Sequence, residues 1–279
     1  MSNRMDQPSE GEVPPAAQVP ARSYRVEALS KGLRLLSLFT AERPALRVKD
    51  LVQLSGIPMP TAFRLVATLE EEGYLERTVD GMVRPGTSVL ALGFAAVQGL
   101  DVVQSSAPIL RELAATTGET VNLGVLYNDQ VLFVARVPRT DSLLAAGIRE
   151  GSTVPAVFSS IGKVILASMS DEELTRCISE SSFAGRWGPN AVRTIGDLRI
   201  QLEAARNDGY LVQHEEAIPG LSSIAAPIYQ RGRTVVAAVN VAVPSSDYSG
   251  DRLIATTLEP LLQAAQRISL RLGGSPARS

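Results

Sequence analysis

Ser160 and Lys163 stand three residues apart in Ser160-Ile161-Gly162-Lys163. That is the S-x-x-K spacing of serine acyl enzymes, in which a second residue must relieve the hydroxyl of its proton. The companion Ser-Asp-Asn and Lys-Thr-Gly elements are absent from the sequence, so the spacing is weak support for a small-acyl hydrolase using Ser160 and Lys163. A Ser-His-Asp triad would have to use His214, the only histidine, and a lone histidine at a strand end more often serves structure. Glu215-Glu216 has the type for acid–base work, but adjacent carboxylates are more often solvated or cap a helix. Cys177, the only cysteine, reads as a packed small hydrophobe on an amphipathic helix. One cysteine and one histidine leave little for a zinc site. No G-x-G-x-x-G or Walker sequence is present. The expectation is therefore no catalytic set, no metal and no cofactor.

Binding without chemistry is what these residue types suit. Backbone N–H groups at the helix start around Ser159 to Gly162 attract an anion. Ser222-Ser223 and Asn240 add neutral donors from strand segments. Such a set fits a small carboxylate held in a pocket; the plainer alternative is that these groups only satisfy nearby backbone.

A second kind of chemistry is written in Val48 to Ala67. Leu51, Val52 and Leu54 give a short helix its apolar stripe. Gly56 can take a positive φ and end it. Pro58 and Pro60 sit where a helix start tolerates proline, and Phe63, Leu65, Val66 and Leu69 carry a second helix. Gly73 to Arg77 reads as a strand, Asp80-Gly81 as a hairpin turn and Met82 to Arg84 as a return strand. Helix-turn-helix plus a small hairpin is a winged helix, the device that places a helix in the major groove. Thr61, Ala62 and Arg64 near the start of the second helix are placed to reach base edges, and Arg47 and Lys49 to meet phosphates. A salt bridge to Glu70 or Glu71 is the competing role for Arg64. A winged helix used for protein contacts is the competing role for the domain.

Composition permits this without demanding it. The 279 residues suffice for two domains. Apolar content is 45%, with no run of membrane-spanning length and no apolar signal core at the start, so a soluble cytoplasmic protein is expected. The net charge is −2. From Arg22 to Arg84, ten Lys/Arg face eight Asp/Glu, a local excess of two.

Taken in order, residues 1 to 22 are rich in Pro, Ser, Gln and Glu and read as a disordered tail. Leu29, Leu33, Leu36 and Phe39 have the spacing of a buried helical stripe. Thr87 to Gln98 is nearly uncharged; Val89, Leu92, Phe94 and Val97 predict a linker helix that buries itself against a second copy or the first domain. A helix from Asp101 to Thr116 follows. Strands are then expected at Thr120–Tyr127, Gln130–Val137, Ser142–Ile148, Thr153–Val157, Tyr210–His214, Ser222–Tyr229 and Thr234–Val243. Helices are expected at Ser159–Met169, Asp171–Glu180, Asp197–Asp208 and Asp251–Leu272. The fold class is α+β with a largely antiparallel sheet. Its units are a tail (1–22), a winged helix-turn-helix (23–86), a linker helix (87–100) and an effector-binding domain (101–274).

In this order, several short motifs together resemble the IclR family of bacterial transcriptional regulators. They are Pro60-Thr61-Ala62-Phe63-Arg64-Leu65, Glu72-Gly73-Tyr74-Leu75, Gly118-Glu119-Thr120-Val121, Val154-Pro155-Ala156 with Gly162 to Ala167, Gly209-Tyr210 with Glu215-Glu216, and Ile224 to Ile228. The resemblance implies a GAF-like second domain, dimers or tetramers on palindromic double-stranded operators, and a small organic acid effector. The DNA contacts expected on this winged helix are from Arg47, Lys49, Pro60, Thr61, Ala62, Phe63, Arg64, Arg77 and Arg84. The resemblance implies an effector pocket lined by Leu143, Ala146, Val154, Ser160, Ile161, Gln213, Leu221, Ser223, Asn240 and Ala242. The chain departs from the family pattern at Met59-Pro60, at Gln213, where an acidic residue is common, and at Ser222-Ser223, where an Arg-Cys pair is common. Val154 to Ser160 and Ala238 to Val241 look closer to the branch that controls aromatic-acid catabolism.

Overall fold

A computed structural model describes residues 25–40, 43–99, 101–139 and 148–274. It divides into two compact units, the first ending at Pro85 and the second running from Gly86.

The first unit holds α1 (Glu27–Leu36), α2 (Val48–Ser55), α3 (Met59–Glu71), β1 (Leu75–Arg77) and β2 (Val83–Pro85). Gly56 ends α2 in the left-handed region, at φ 67°, and returns its N–H to the Val52 carbonyl at 2.9 Å. An L side chain is strained there, so the sharp turn into α3 requires glycine. Pro58 caps α3 and Pro60 lies in its first turn, where a missing N–H costs no hydrogen bond. Thr78 to Met82 turn the wing, with Gly81 at φ 76°. Leu35, Leu51, Ile57, Ala62, Val66, Leu75 and Val83 form the core.

The apolar stripe expected on α1 is corrected in part: Leu36 and Phe39 pack against the core, but Leu29 and Leu33 are 61% and 55% exposed, while Gly32 and Leu35 are buried. Gly32 lets α1 close on α3, where an added Cβ would already touch Leu65 at 3.9 Å. That contact rotates Leu29 and Leu33 outward.

The second unit begins with α4 (Thr87–Gln98), on which Leu90 and Leu92 are exposed and Val89 half-buried. The side chains of Phe94 and Val97 lie outside the described residues. α5 (Asp101–Thr117) leads into β3 (Thr120–Tyr127), β4 (Gln130–Val137) and β5 (Thr153–Pro155). Of the strand expected at Ser142–Ile148, only Ile148 falls within the described residues. The strand expected through Val157 stops at Pro155 and becomes a 3-10 turn, Ala156–Phe158. Then come α6 (Ser160–Ala167), α7 (Asp171–Cys177), α8 (Ile195–Asp208), β6 (Leu211–His214), β7 (Leu221–Gln230), β8 (Thr234–Pro244) and α9 (Gly250–Arg271).

The strands form one antiparallel sheet, ordered β5-β4-β3-β8-β7-β6. Its two faces differ in chemistry. α5 and α9 cover a face built on Val121, Leu123, Ile224, Ala226, Val239 and Val241. α6 and α8 lie over the other, where Ala225 and Ala238 pack with Ile161, Leu198 and Leu202. Between the apolar residues of that second face stand Asn122, Gln213, Ser223 and Asn240, all buried. No described helix is long and apolar enough to cross a membrane.

Glycine lets α6 fold back tightly on the 3-10 turn that precedes it. A Cβ on Gly162 would lie 2.4 Å from the backbone of Ala156, a contact that no rotamer relieves. Gly162→Ala is expected to destabilise the protein toward the upper end of the about 1–3 kcal/mol typical of overpacking, read as a lower midpoint in urea unfolding.

Candidate functional site

Two regions gather the residues singled out in the sequence. The first is the amino-terminal end of α3. A helix turns 100° per residue, and the side chains there divide accordingly. Phe63 is 55% exposed, Arg64 is exposed and Thr61 is half-buried. Ala62 is corrected: it is 0% exposed, in the core with Val66 one turn on, and cannot reach a base edge. Arg64 has no ion pair among the described residues, because Glu70 is taken by Arg77 at 2.9 Å. Arg84 pairs with Glu76, its cross-strand neighbour, at 2.6 Å. Both wing pairs are exposed and so worth little; a phosphate can replace either carboxylate. Arg47 and Lys49 are exposed beside the start of α2, whose Asp50 accepts the Arg47 backbone N–H at 3.1 Å. Among the described residues, the unit thus presents Phe63 and the unpaired Arg64 at the start of α3, exposed Arg47 and Lys49 at the start of α2, and the ion-paired Arg77 and Arg84 on the wing.

The second region is the polar row under α6. Ser159 caps that helix, accepting the Gly162 N–H, and so turns Ser160 inward. Ser160 and Ser223 hydroxyls meet at 2.7 Å. Asn240 Nδ2 donates to Ser160 Oγ at 3.3 Å, and Asn122 Nδ2 donates to Asn240 Oδ1 at 2.9 Å. With its oxygen accepting the Ala217 N–H at 3.0 Å, the Gln213 amide donates to Ser223 Oγ at 3.1 Å. Strand register explains the alignment. Asn122 faces Asn240 across β3–β8, and Gln213 faces Ser223 across β6–β7. Side chains on one strand alternate between faces, so Leu221, Ser223 and Ala225 share the α6 face, as do Ala238, Asn240 and Ala242. Ile161 and Val154 supply apolar walls. Leu143 and Ala146 lie outside the described residues.

The row is continuous: Asn240 donates to Ser160, the two serine hydroxyls bond each other, and Gln213 meets Ser223 Oγ at 3.1 Å, as acceptor in one orientation of its amide and as donor in the other. Its members are neutral groups that can donate to or accept from an incoming polar ligand.

The other expected groups resolve differently. Ser222, pointing to the opposite face, bonds His214 Nδ1 at 2.6 Å and Ser245 at 2.9 Å. It leaves the row that Ser223 joins. His214 Nε2 stands 3.7 Å from Glu215, too far for the hydrogen bond a triad needs. Lys163 does not approach Ser160; its ammonium is fully buried against Glu216 and Gln201. Burial pulls the Lys163 pKa below the usual lysine range while Glu216 holds it up. The S-x-x-K spacing therefore builds a structural ion pair. Cys177 Sγ donates to the Asn128 carbonyl at 3.2 Å, and burial pushes its thiol up, with Asp129 adding to it. Among the described residues no group of His, Cys, Asp and Glu could hold a metal ion. Asn122 and Arg136 are additions to the sequence reading. Each interrupts an apolar strand, and that interruption is the signal that could have found them.

Comparison with known proteins follows the same division. Residues 28–78 match the profile described as the IclR helix-turn-helix domain, and residues 94–270 that of the bacterial transcriptional regulator IclR C-terminal domain. The HTH-type transcriptional repressor AllR of Escherichia coli is 29% identical over 93% of this chain and 95% of its own length. The acetate operon repressor of Salmonella typhimurium is 28% identical over 94% and 95%. An IclR homologue of Microbacterium hydrocarbonoxydans, solved as a complex with 4-hydroxybenzoate, superposes with a TM-score of 0.71 at 27% identity, over 88% of this chain and 99% of that one. An IclR-family transcriptional regulator of Brucella abortus gives 0.74 at 25% identity, over 88% and 93%.

Removing one member of a buried pair strands the other. Lys163→Met is expected to cost about 3–5 kcal/mol, and adding Glu216→Gln to recover part of it, both read in thermal unfolding.

Proposed function

The chain belongs to the IclR family of bacterial transcriptional regulators, and we propose that the signal it answers is a small organic carboxylate of the aromatic-acid class. The observation that carries this is the buried row of neutral hydrogen-bonding side chains, Ser160, Ser223, Asn240 and Gln213, gathered under the start of α6. The 4-hydroxybenzoate complex of the Microbacterium homologue supports the aromatic class. Gln213, where the family commonly has an acidic residue, leaves the Ser160–Ser223 end of the row neutral, which suits an uncharged hydroxyl or carbonyl oxygen of the ligand there. No reaction is assigned: the hydroxyl of Ser160 has no base within reach, and the relatives are named as repressors.

The helix-turn-helix domain binds DNA. The reading of its face is that Arg64, Thr61 and Phe63 approach base edges, with Pro60 beside them. Arg47, Lys49, Arg77 and Arg84 neutralise phosphates. A lone recognition helix reads few base pairs, so two copies on a palindromic operator are required for specificity. The nearly uncharged α4, with Leu90 and Leu92 exposed, is the surface assigned to pairing two copies, as a dimer or as the building block of a tetramer. Residues 23–86 form the DNA-binding domain, 87–100 the linker and 101–274 the effector domain, working in the cytoplasm where the operator lies. The effector acts only if it binds the DNA-competent and DNA-incompetent states unequally. DNA must then shift effector affinity by the same factor.

Two measurements test this. Arg64→Ala and Thr61→Ala should each weaken binding to the promoter beside the gene by about 1–3 kcal/mol in a gel-shift titration; unchanged affinity for both removes the recognition-helix assignment. In a thermal-shift screen, aromatic monocarboxylates should raise the melting temperature of the wild-type protein and leave Ser160→Ala less affected.

A further inference from the structure

Arg136 stands on β4, directly across the sheet from Asn122. The register of β3 and β4 slips between Leu123 and Gly124, so that Leu123 faces Ala135 while Gly124 faces Phe133. An extra residue in one strand moves every later side chain to the other face. Beyond the slip, Arg136 therefore lies on the α6 face, with the row that ends at Ser160. Its guanidinium donates to Asn122 Oδ1 at 3.1 Å. The relay then runs through Asn240 to the Ser160–Ser223 pair.

Among the described residues, the charge of Arg136 is not answered. The side chain is half-buried, yet it has no ion pair among the described residues. The nearby Glu150 accepts the Arg136 backbone N–H at 3.0 Å instead. Burial lowers its pKa, and no carboxylate raises it back. Arg139, three residues on, shows the contrast: Glu119 and Asp247 both pair with it. A cation turned onto a partly buried sheet face without a counter-ion is costly. An arginine that only capped Asn122 would leave that cost standing, whereas an anion arriving in the site removes it.

We propose that Arg136 is the specificity-determining residue of the effector site: it takes the carboxylate of the effector, while the Ser160–Ser223 pair takes a second polar group across an apolar body. This rests on the effector reading above. From β4 to β8 is two strand spacings, about 10 Å between backbones. Long side chains reach inward from one end and short ones from the other, so the span suits a hydroxy-substituted aromatic acid. Arginine fits the carboxylate end because its fork donates two parallel bonds to one carboxylate. Asn122 and Asn240 then hold the two ends at fixed separation.

The test uses the full chain and three acid–amide pairs, benzoate and benzamide, 4-hydroxybenzoate and 4-hydroxybenzamide, butyrate and butyramide, titrated calorimetrically. Wild type should bind at least one acid about tenfold or more tighter than its amide. Arg136→Gln should bring that ratio to within about twofold with amide affinity unchanged, and Arg136→Lys should restore part of it. Asn122→Asp supplies an internal counter-ion without removing the arginine, and should lose the preference for the acid as well. If Arg136→Gln and Asn122→Asp both keep the wild-type ratio, the assignment of Arg136 is overturned while the effector reading stands. If no acid binds wild type more tightly than its amide, the carboxylate reading itself fails and this assignment with it.

Discussion

The second domain depends on one constraint: polar side chains placed in the middle of a buried sheet face must find partners inside the protein. Asn122, Asn240, Ser223 and Gln213 are each at most 5% exposed. An unpaired buried amide or hydroxyl costs on the order of 1–3 kcal/mol, so such residues survive only as a connected row. The row needs α6 to deliver Ser160. Gly162 lets that helix fold tightly onto the Ala156 turn before it, and Gly124 leaves room on β3 for Ile161 of α6, which a Cβ there would meet at 3.0 Å. The opposite face makes fewer such demands: apart from Ser222, bonded to His214 and Ser245 at its end, its buried sheet residues are apolar and are sealed by α5 and α9. One sheet therefore has a face that holds the domain together and a face that carries a polar row.

Charge is handled by the same logic. Lys163 enters the interior on the turn after Ser160 and is met there by Glu216, which follows Gln213 by three residues. The pair fastens the strand that carries Gln213 to the helix that carries Ser160. A change in the site that displaced either residue would have to move a desolvated ion pair, and that favours two discrete arrangements over a graded response. Pairs on the surface of the first domain have no such weight. Arg77–Glu70 and Arg84–Glu76 are solvated, and their cations remain available to phosphate.

α3 shows the division of labour inside a short helix. Ala62 and Val66 face the core, and Phe63 and Arg64 face out. Five residues thus include both anchoring and presenting positions, and the anchor fixes the direction of the presented side chains. Ala62, expected at a base edge, instead holds the helix that presents Arg64, through packing. On α1 the same rule works in reverse. Gly32 and Leu35 take the buried side, and Leu29 and Leu33 are left exposed.

The sequence by itself determined the element order, the winged helix-turn-helix and the antiparallel α+β class. These follow from local signals: period 3.6 or 2, Gly56 and Gly81 at positive φ, prolines at a helix start. It also marked Ser160, Ser223 and Asn240, because polar residues in apolar strands and a serine at a helix start are visible locally. Only tertiary structure decided the rest. Which serine of Ser222-Ser223 joins the row depends on strand parity. Whether Lys163 activates Ser160 or neutralises Glu216 depends on a partner 53 residues away. Asn122 and Arg136 enter the row through register and a strand irregularity. No local pattern encodes these, because pairing between distant strands is fixed by the packing of the whole sheet.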